Sequence, residues 1–249
     1  MGIDTKTITA GVVLAAGCGA RLAGAECASA SKLLISVQGK PLVWHAIRGL
    51  ELAGCRRIVV ILGHAAEEVR SSILGTYAGR SKIEFLFNPL YRLSNGVSVL
   101  CARDHLTENF QLVMGDHLVG DDIMTALPMC PPPAGGATLL VDRRLEKVFD
   151  LNDATKVFAN GGRICRIGKT IADFNCVDTG VFSSTPGLFA ALDAVWKKKG
   201  DASLTDGVQR LADAGLMRAA PIDGYWQDID TPEMLAHAEC HFSSFRLAN

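Results

Sequence analysis

Four short apolar, β-branched runs, at residues 8–16, 57–62, 83–87 and 110–114, punctuate the first half of the chain, and stretches of helical spacing separate them. Runs this short, with no polar alternation, suit strands buried on both faces. Leu42, Ala46, Ile47 and Leu50 share one face of a helix predicted over 41–53, which Gly54 ends. Residues 66–74 and 96–105 suit two more helices. Strands alternating with helices call for a parallel sheet with right-handed crossovers. The expected fold class is α/β: a Rossmann-like, mostly parallel twisted sheet with flanking helices and a small mixed lobe. In such sheets ligands sit at the carboxyl ends of the strands. The glycines after residue 16, Asn88 and Asp116 all fall at such ends.

After Pro131-Pro132-Pro133-Ala134-Gly135-Gly136 the texture changes. Residues 137–183 read as short strands, with turns at Asn160-Gly161-Gly162 and Gly168. Helices are expected over 186–198, over 206–214 and from Pro232 onward. The proline-rich stretch reads as a surface loop, because the second half has too little core to stand alone. The chain is therefore read as one domain over 1–249, with 1–130 as one part and 131–249 as the other.

With 49 % hydrophobic and 20 % charged residues, disorder is excluded for the whole. A net charge of −1, with Lys and Arg spread along the chain, argues against a nucleic-acid or anionic-membrane surface. No apolar run approaches the ~18 residues needed to span a bilayer. Val12-Val13-Leu14-Ala15-Ala16-Gly17-Cys18 is similar to a lipoprotein cleavage box, but the stretch before it is too short and polar for a signal peptide. The eight cysteines form no C-x-x-C pair and are expected to be mostly buried thiols in a reducing, cytoplasmic setting.

Leu14-Ala15-Ala16-Gly17-Cys18-Gly19-Ala20-Arg21 leaves the first strand, and Ser31-Lys32-Leu33-Leu34 follows it. A glycine loop lets backbone N–H groups approach phosphate oxygens without a Cβ in the way. Arg21 and Lys32 can then neutralise a triphosphate. A plain tight turn is the bland alternative. The dinucleotide fingerprint fails because Leu22 stands where a third glycine belongs, and there is no Walker G-K-[ST]. Asp116 and Asp228 are each expected to end a strand. Their oxygen ligands suit Mg²⁺, which phosphoryl-type transfer uses to offset charge. Two solvated turn carboxylates are the alternative, and Asp230 is the runner-up ligand, since residues two apart on a strand face the same side. His237 and His241 have i, i+4 spacing and read as an exposed helix face rather than a zinc site.

The pattern L-A-A-G-x-G-x-R followed by K-x-L resembles the N-terminal signature of the nucleoside-diphosphate-sugar pyrophosphorylase-like nucleotidyltransferases, and the likeness runs over nearly the whole chain. Ser31 departs from the proline usual before the lysine. The resemblance implies that Leu14, Ala15, Ala16, Gly17, Gly19, Asn88, Asn95, Gly96 and Ser98 bind the nucleotide. It also implies that Val113-Met114-Gly115-Asp116 and Trp226-Gln227-Asp228 carry the metal-binding aspartates. Finer segments, among them Asp153-Ala154-Thr155-Lys156-Val157, Ile167-Gly168-Lys169 and Val177-Asp178-Thr179-Gly180, resemble inositol-1-phosphate cytidylyltransferases. On that likeness Lys156 and Lys169 are expected to take the acceptor's phosphate, Asp178 and Thr179 to line its pocket, and the mixed lobe to bind the acceptor. Surface lysines beside hairpin turns are the bland alternative.

The expected enzyme is a nucleotidyltransferase that releases pyrophosphate, with Mg²⁺ as cofactor and Arg21, Lys32, Asp116 and Asp228 as its catalytic residues. Its partners are an NTP, CTP favoured, and a small phosphorylated acceptor. A homodimer or a downstream lipid synthase would be further partners. Transfer to phosphocholine or an aminoalkylphosphonate, a sugar-1-phosphate enzyme using another NTP, a non-catalytic NTP-binding module and a dinucleotide oxidoreductase stay open. Choline would call for an aromatic cage, and only three Trp and three Tyr are present.

Overall fold

A computed structural model describes residues 8–18 and 31–242. Its first half alternates as the apolar runs require: β1 (Ala10–Ala15), the short pair β2 (Ser36–Val37) and β3 (Lys40–Pro41), α1 (Leu42–Leu52), β4 (Arg57–Leu62), α2 (Ala66–Thr76), β5 (Lys82–Phe87), α3 (Asn95–Leu100) and β6 (Phe110–Met114). The second half holds β7 (His117–Val119), α4 (Asp121–Ala126), β8 (Ala137–Asp142), β9 (Lys156–Asn160), β10 (Arg163–Gly168) and β11 (Cys176–Ser184). It closes with α5 (Gly187–Lys199), α6 (Leu204–Asp213), β12 (Met217–Pro221), β13 (Trp226–Asp228) and α7 (Pro232–His241).

Nine strands form one sheet in the order β5-β4-β1-β6-β11-β8-β12-β10-β9. The strands β5, β4, β1 and β6 are mutually parallel. Beyond β6 the sheet is mixed: β11 runs antiparallel to β6 and β8, β12 is parallel to β8, and β10 and β9 are antiparallel. The parallel character thus belongs to the half in which helices alternate with strands.

Alternation along β1 explains its continuous apolarity. Val12 and Leu14 enter the core on one face, packed with Val99 of α3, Leu188 of α5 and Val208 of α6. Val13 and Ala15 enter the opposite face, with Ile47 of α1, Val69 of α2 and Met124 of α4. Successive strand side chains point to opposite faces, so only a strand covered on both sides needs every position apolar.

The predicted helix over 96–105 ends at Leu100, because Cys101, Ala102 and Arg103 donate back three residues and tighten the chain into turns. Asp228 ends a strand, β13, as expected, whereas helix α4, β7 and β12 carry too few apolar residues to be anticipated. The ribbon of β7 with β13 pairs Asp228 with His117 and is backed by a small core of Val37, Leu42, Leu118, Ile229, Met234 and Phe242. Thr231 caps α7 by accepting from Met234 N–H, and Pro232 occupies its first turn.

The expectation of mostly buried thiols is corrected. The seven described cysteines are free, but Cys55 and Cys176 alone are buried, while Cys165 and Cys240 are exposed on a strand and a helix face turned to solvent. No described helix is long and apolar enough to cross a membrane.

Candidate active site

The parallel strands end in backbone contacts that hold their loops close together. Gly115 N–H donates to Leu14 O at 2.9 Å, and His64 N–H donates to Ala16 O at 3.0 Å. A Cβ on Gly115 would stand 2.7 Å from Leu14 O, so glycine is needed for this approach. Ile229 N–H donates to Asp116 O at 3.0 Å, which joins the end of β13 to the end of β6. Backbone pairing therefore brings together carboxylates far apart in sequence.

Lys32 closes this group. Its Nζ lies 2.6 Å from Asp116 Oδ2 and 2.5 Å from Asp230 Oδ1, and its side chain is 9 % exposed. Burial alone would lower the Lys32 pKa, but Asp116 and Asp230 outweigh it and push it up to about 12. For Asp116 burial acts upward, and the Lys32 ammonium overcomes it, holding the carboxyl down at about 2. Burial raises Asp228, with His117 opposing and Asp230 and Asp116 reinforcing.

Oxygens of Asp153, Asp228 and Asp230 lie within 4.8 Å of one another. Asp116 is outside that trio, but its Oδ1 is buried and makes no hydrogen bond. An oxygen-only donor set with an orphaned carboxylate oxygen suits a hard divalent cation. The runner-up, Asp230, is the carboxylate that Lys32 ties to Asp116.

These groups open onto a cavity of about 490 Å³. Asn95, Asp116, Asp178, Asp228, Asp230 and Lys169 of the predicted site line it. Asp178 accepts from Gly180 N–H at 2.7 Å, and burial pushes its pKa up to about 6 against that bond and His117. Lys169 is paired with Asp153 at 2.7 Å.

Other predicted residues lie elsewhere. Arg21 and Gly19 fall outside the described residues. Leu14, Ala15 and Ala16 are buried in or just after β1, and Gly17 is open to solvent. Asn88 and Ser98 are buried and bonded to each other at 2.9 Å, and Asn88 Oδ1 also accepts from Leu90 N–H. Gly96 serves packing, since a Cβ there would stand 2.5 Å from Ala202 O. Lys156 is not among the cavity-lining residues; its ammonium donates to the carbonyls of Asn152 at 2.7 Å and Ala154 at 3.2 Å. Thr179 is fully buried and donates to Leu140 O at 2.7 Å. His237 and His241 are ring-stacked at 4.1 Å and border the cavity; His241 is exposed, as expected of that helix face, while His237 is half-buried, and no described third ligand makes them a metal cluster.

Several lining residues had little local signal. His117 Nδ1 contacts Thr179 O at 3.0 Å, and a Cβ on Gly180 (φ +74°) would overlap its ring. Asp142 accepts from Trp226 Nε1 at 2.9 Å and from Arg144 Nη2 at 2.8 Å. Asp153 stands three residues before Lys156 and carries no local signal that would set it apart as a site residue. Aromatic residues are few, yet Phe149, Tyr225 and Trp226 all face this cavity.

A parallel-edge site of this kind, with a lysine bridging carboxylates at the strand ends, is that of a nucleotidyltransferase. The sequence profile of the MobA-like NTP transferase domain matches residues 11–142, and the chain belongs to that family. It is 34 % identical over 238 residues to the bifunctional IPC transferase and DIPP synthase of Rubrobacter xylanophilus, covering 91 % of this chain and 50 % of that protein. It is 36 % identical over 121 residues to the CMP-5'-(3-aminopropyl)phosphonate synthase of Streptomyces rubellomurinus, covering 48 % of this chain and 19 % of that one. The chain spans half or less of the length of these relatives. The solved inositol-1-phosphate CTP transferase from T. maritima shares the fold, with a TM-score of 0.80 at 24 % identity over 92 % of this chain and 96 % of that one.

Proposed function

We propose that the chain is a magnesium-dependent cytidylyltransferase that converts CTP and inositol 1-phosphate, or a similar alcohol phosphate, to a CDP-alcohol and pyrophosphate. The observation that carries this reading is the contact of Lys32 with Asp116 and Asp230, two of the carboxylates that line the cavity together with Asp228. An acceptor phosphate oxygen forms a bond to the α-phosphorus of CTP as the bond to the β-phosphate oxygen breaks. The acceptor is already an anion, so no general base is required. Lys32 uses two of its three N–H donors on carboxylates, leaving one for a phosphoryl oxygen that gains charge in the transition state. Asp116 and Asp228 would hold Mg²⁺, which neutralises phosphate charge when bound. Asp178 can accept hydrogen bonds from a polyol's hydroxyls, and Lys169 is the predicted phosphate-binding lysine that reaches the cavity.

The names of the Rubrobacter and T. maritima proteins support IPC or inositol 1-phosphate chemistry, the latter with CTP. The Streptomyces relative favours a second reading, transfer to an aminoalkylphosphonate, and the lining aspartates and aromatic rings are chemically compatible with an ammonium group.

Pyrophosphate release measured with CTP, UTP, ATP and GTP against inositol 1-phosphate, 2-aminoethylphosphonate, phosphocholine and glucose 1-phosphate tests the assignment. CTP should exceed the other nucleotides by about tenfold or more. Equal rates with ATP would remove the cytidylyl assignment. A faster rate with the phosphonate than with inositol 1-phosphate would move the acceptor to the second reading.

A further inference from the structure

The cavity is strongly acidic: seven aspartates line it, against one arginine and two lysines. A phosphate dianion entering such a space needs a cation that is not already neutralised. Arg144 uses four of its five N–H donors and is paired with two carboxylates: Asp142 by Nε at 3.0 Å and Nη2 at 2.8 Å, Asp223 by Nη1 at 2.7 Å, and Gly224 O by Nη2. Lys169 is paired with Asp153. The ammonium of Lys147 has no hydrogen bond or ion pair among the described residues.

Lys147 is exposed, and its backbone is held in place. It closes a single 3₁₀ turn, Leu145–Lys147, and its N–H donates to Arg144 O at 2.8 Å. Arg144 in turn is bolted to the strand that carries Asp142 and to the Gly224 carbonyl. Two residues beyond Lys147, the Phe149 ring packs on His237 of α7 at a centroid distance of 4.9 Å. The segment is thus anchored on both sides of the lysine, which lowers the ordering cost of using it to bind.

We infer that Lys147 binds the acceptor's phosphate group, a role that Lys156 does not fill, since its ammonium is held by the carbonyls of Asn152 and Ala154 and it does not line the cavity. This inference rests on the acceptor being a phosphate monoester, as the proposed function requires. It assigns acceptor affinity to the 145–149 segment rather than to the β9 lysine.

The test compares wild type with Lys147→Gln and Lys147→Arg in the full chain. For Lys147→Gln the acceptor KM should rise about tenfold or more, the value of one charge-assisted contact, while the CTP KM stays within about twofold. Lys147→Arg should recover most of the loss. In parallel, inorganic phosphate is titrated into each protein by amide NMR, where wild type should show saturable shifts at Val148 and Phe149 that Lys147→Gln loses. An acceptor KM unchanged in Lys147→Gln, or phosphate shifts equal in the two proteins, would overturn the inference. If wild type uses no phosphorylated acceptor, the proposed function fails, and the phosphate titration still decides the role of Lys147.

Discussion

The ammonium of Lys32 lies 2.6 Å from a carboxylate oxygen of Asp116, and the other oxygen of that carboxylate is buried with no hydrogen-bond partner. One lysine therefore half-satisfies an aspartate whose remaining oxygen has His117 Nε2 near it, at 3.8 Å, and can serve as a ligand to a cation. The contact also ties the segment that follows the glycine loop to the end of β6.

Removing the lysine should reveal both roles. Lys32→Met leaves Asp116 and Asp230 facing each other without a counter-charge, and breaking such a buried pair costs about 3 kcal/mol or more. Urea unfolding should report that loss, and pyrophosphate release should fall by orders of magnitude. A variant as stable and as active as wild type would show that the contact matters to neither.

Asp116→Asn keeps the shape of the side chain and removes its charge. Turnover should drop about a hundredfold or more, because a metal's electrostatic stabilisation is worth several kcal/mol. The same loss is expected for Asp228→Asn and for wild type in excess EDTA, with recovery on adding Mg²⁺. Undiminished turnover in EDTA would argue that the carboxylates serve structure alone.

Gly180 carries φ +74° and sits against the His117 ring. Gly180→Ala imposes both a strained backbone and a steric overlap, and should cost about 1–3 kcal/mol. Because His117 Nδ1 meets Thr179 O, the ring must shift, and activity should fall along with stability. Thermal melts with assays at a permissive temperature separate the two effects, and a variant matching wild type in both would show that the ring has room to move.

Far from the site, Glu84 accepts from Arg57 and pairs with Lys82, and these bonds hold its carboxyl down at about 2, against the upward pull of burial. A depressed carboxylate stabilises the fold above its unfolded pKa, and that contribution fades as pH falls through the folded value. Glu84→Gln should therefore be less stable than wild type at pH 7. The gap should close between about pH 4.5 and about pH 2, as urea midpoints across that range would show. A gap independent of pH would mean that packing, not charge, links Glu84 to Arg57.

Much of the fold was legible locally. The apolar run of β1 needs cover on both faces, and the helix that begins at Leu42 has one apolar stripe and a glycine stop, so period and length alone place both. The mixed half was harder to read. Strand β12, Met217–Pro221, is short and rich in alanine, and it exists because β8 and β10 pair with it on either side.

The site divides along the same line. Lys32, Asp116 and Asp228 announce themselves in the sequence, since a glycine loop followed by lysine and aspartates at strand ends are local patterns with a chemical meaning. Which lysines face the cavity is not a local property. Lys156 and Lys169 are equivalent as letters, yet Lys156 folds back on the carbonyls of Asn152 and Ala154 while Lys169 reaches Asp153. Asn88 and Ser98 satisfy each other in the interior, and Asp153 joins Asp228 and Asp230 although a long stretch of chain separates them. The sequence by itself determined the class of fold and the chemical types at the strand ends, because backbone period and residue chemistry are carried by neighbours in the chain. The tertiary structure alone decided which polar groups are occupied by one another and which face the cavity, because hydrogen-bond satisfaction is set by partners that only folding brings within reach.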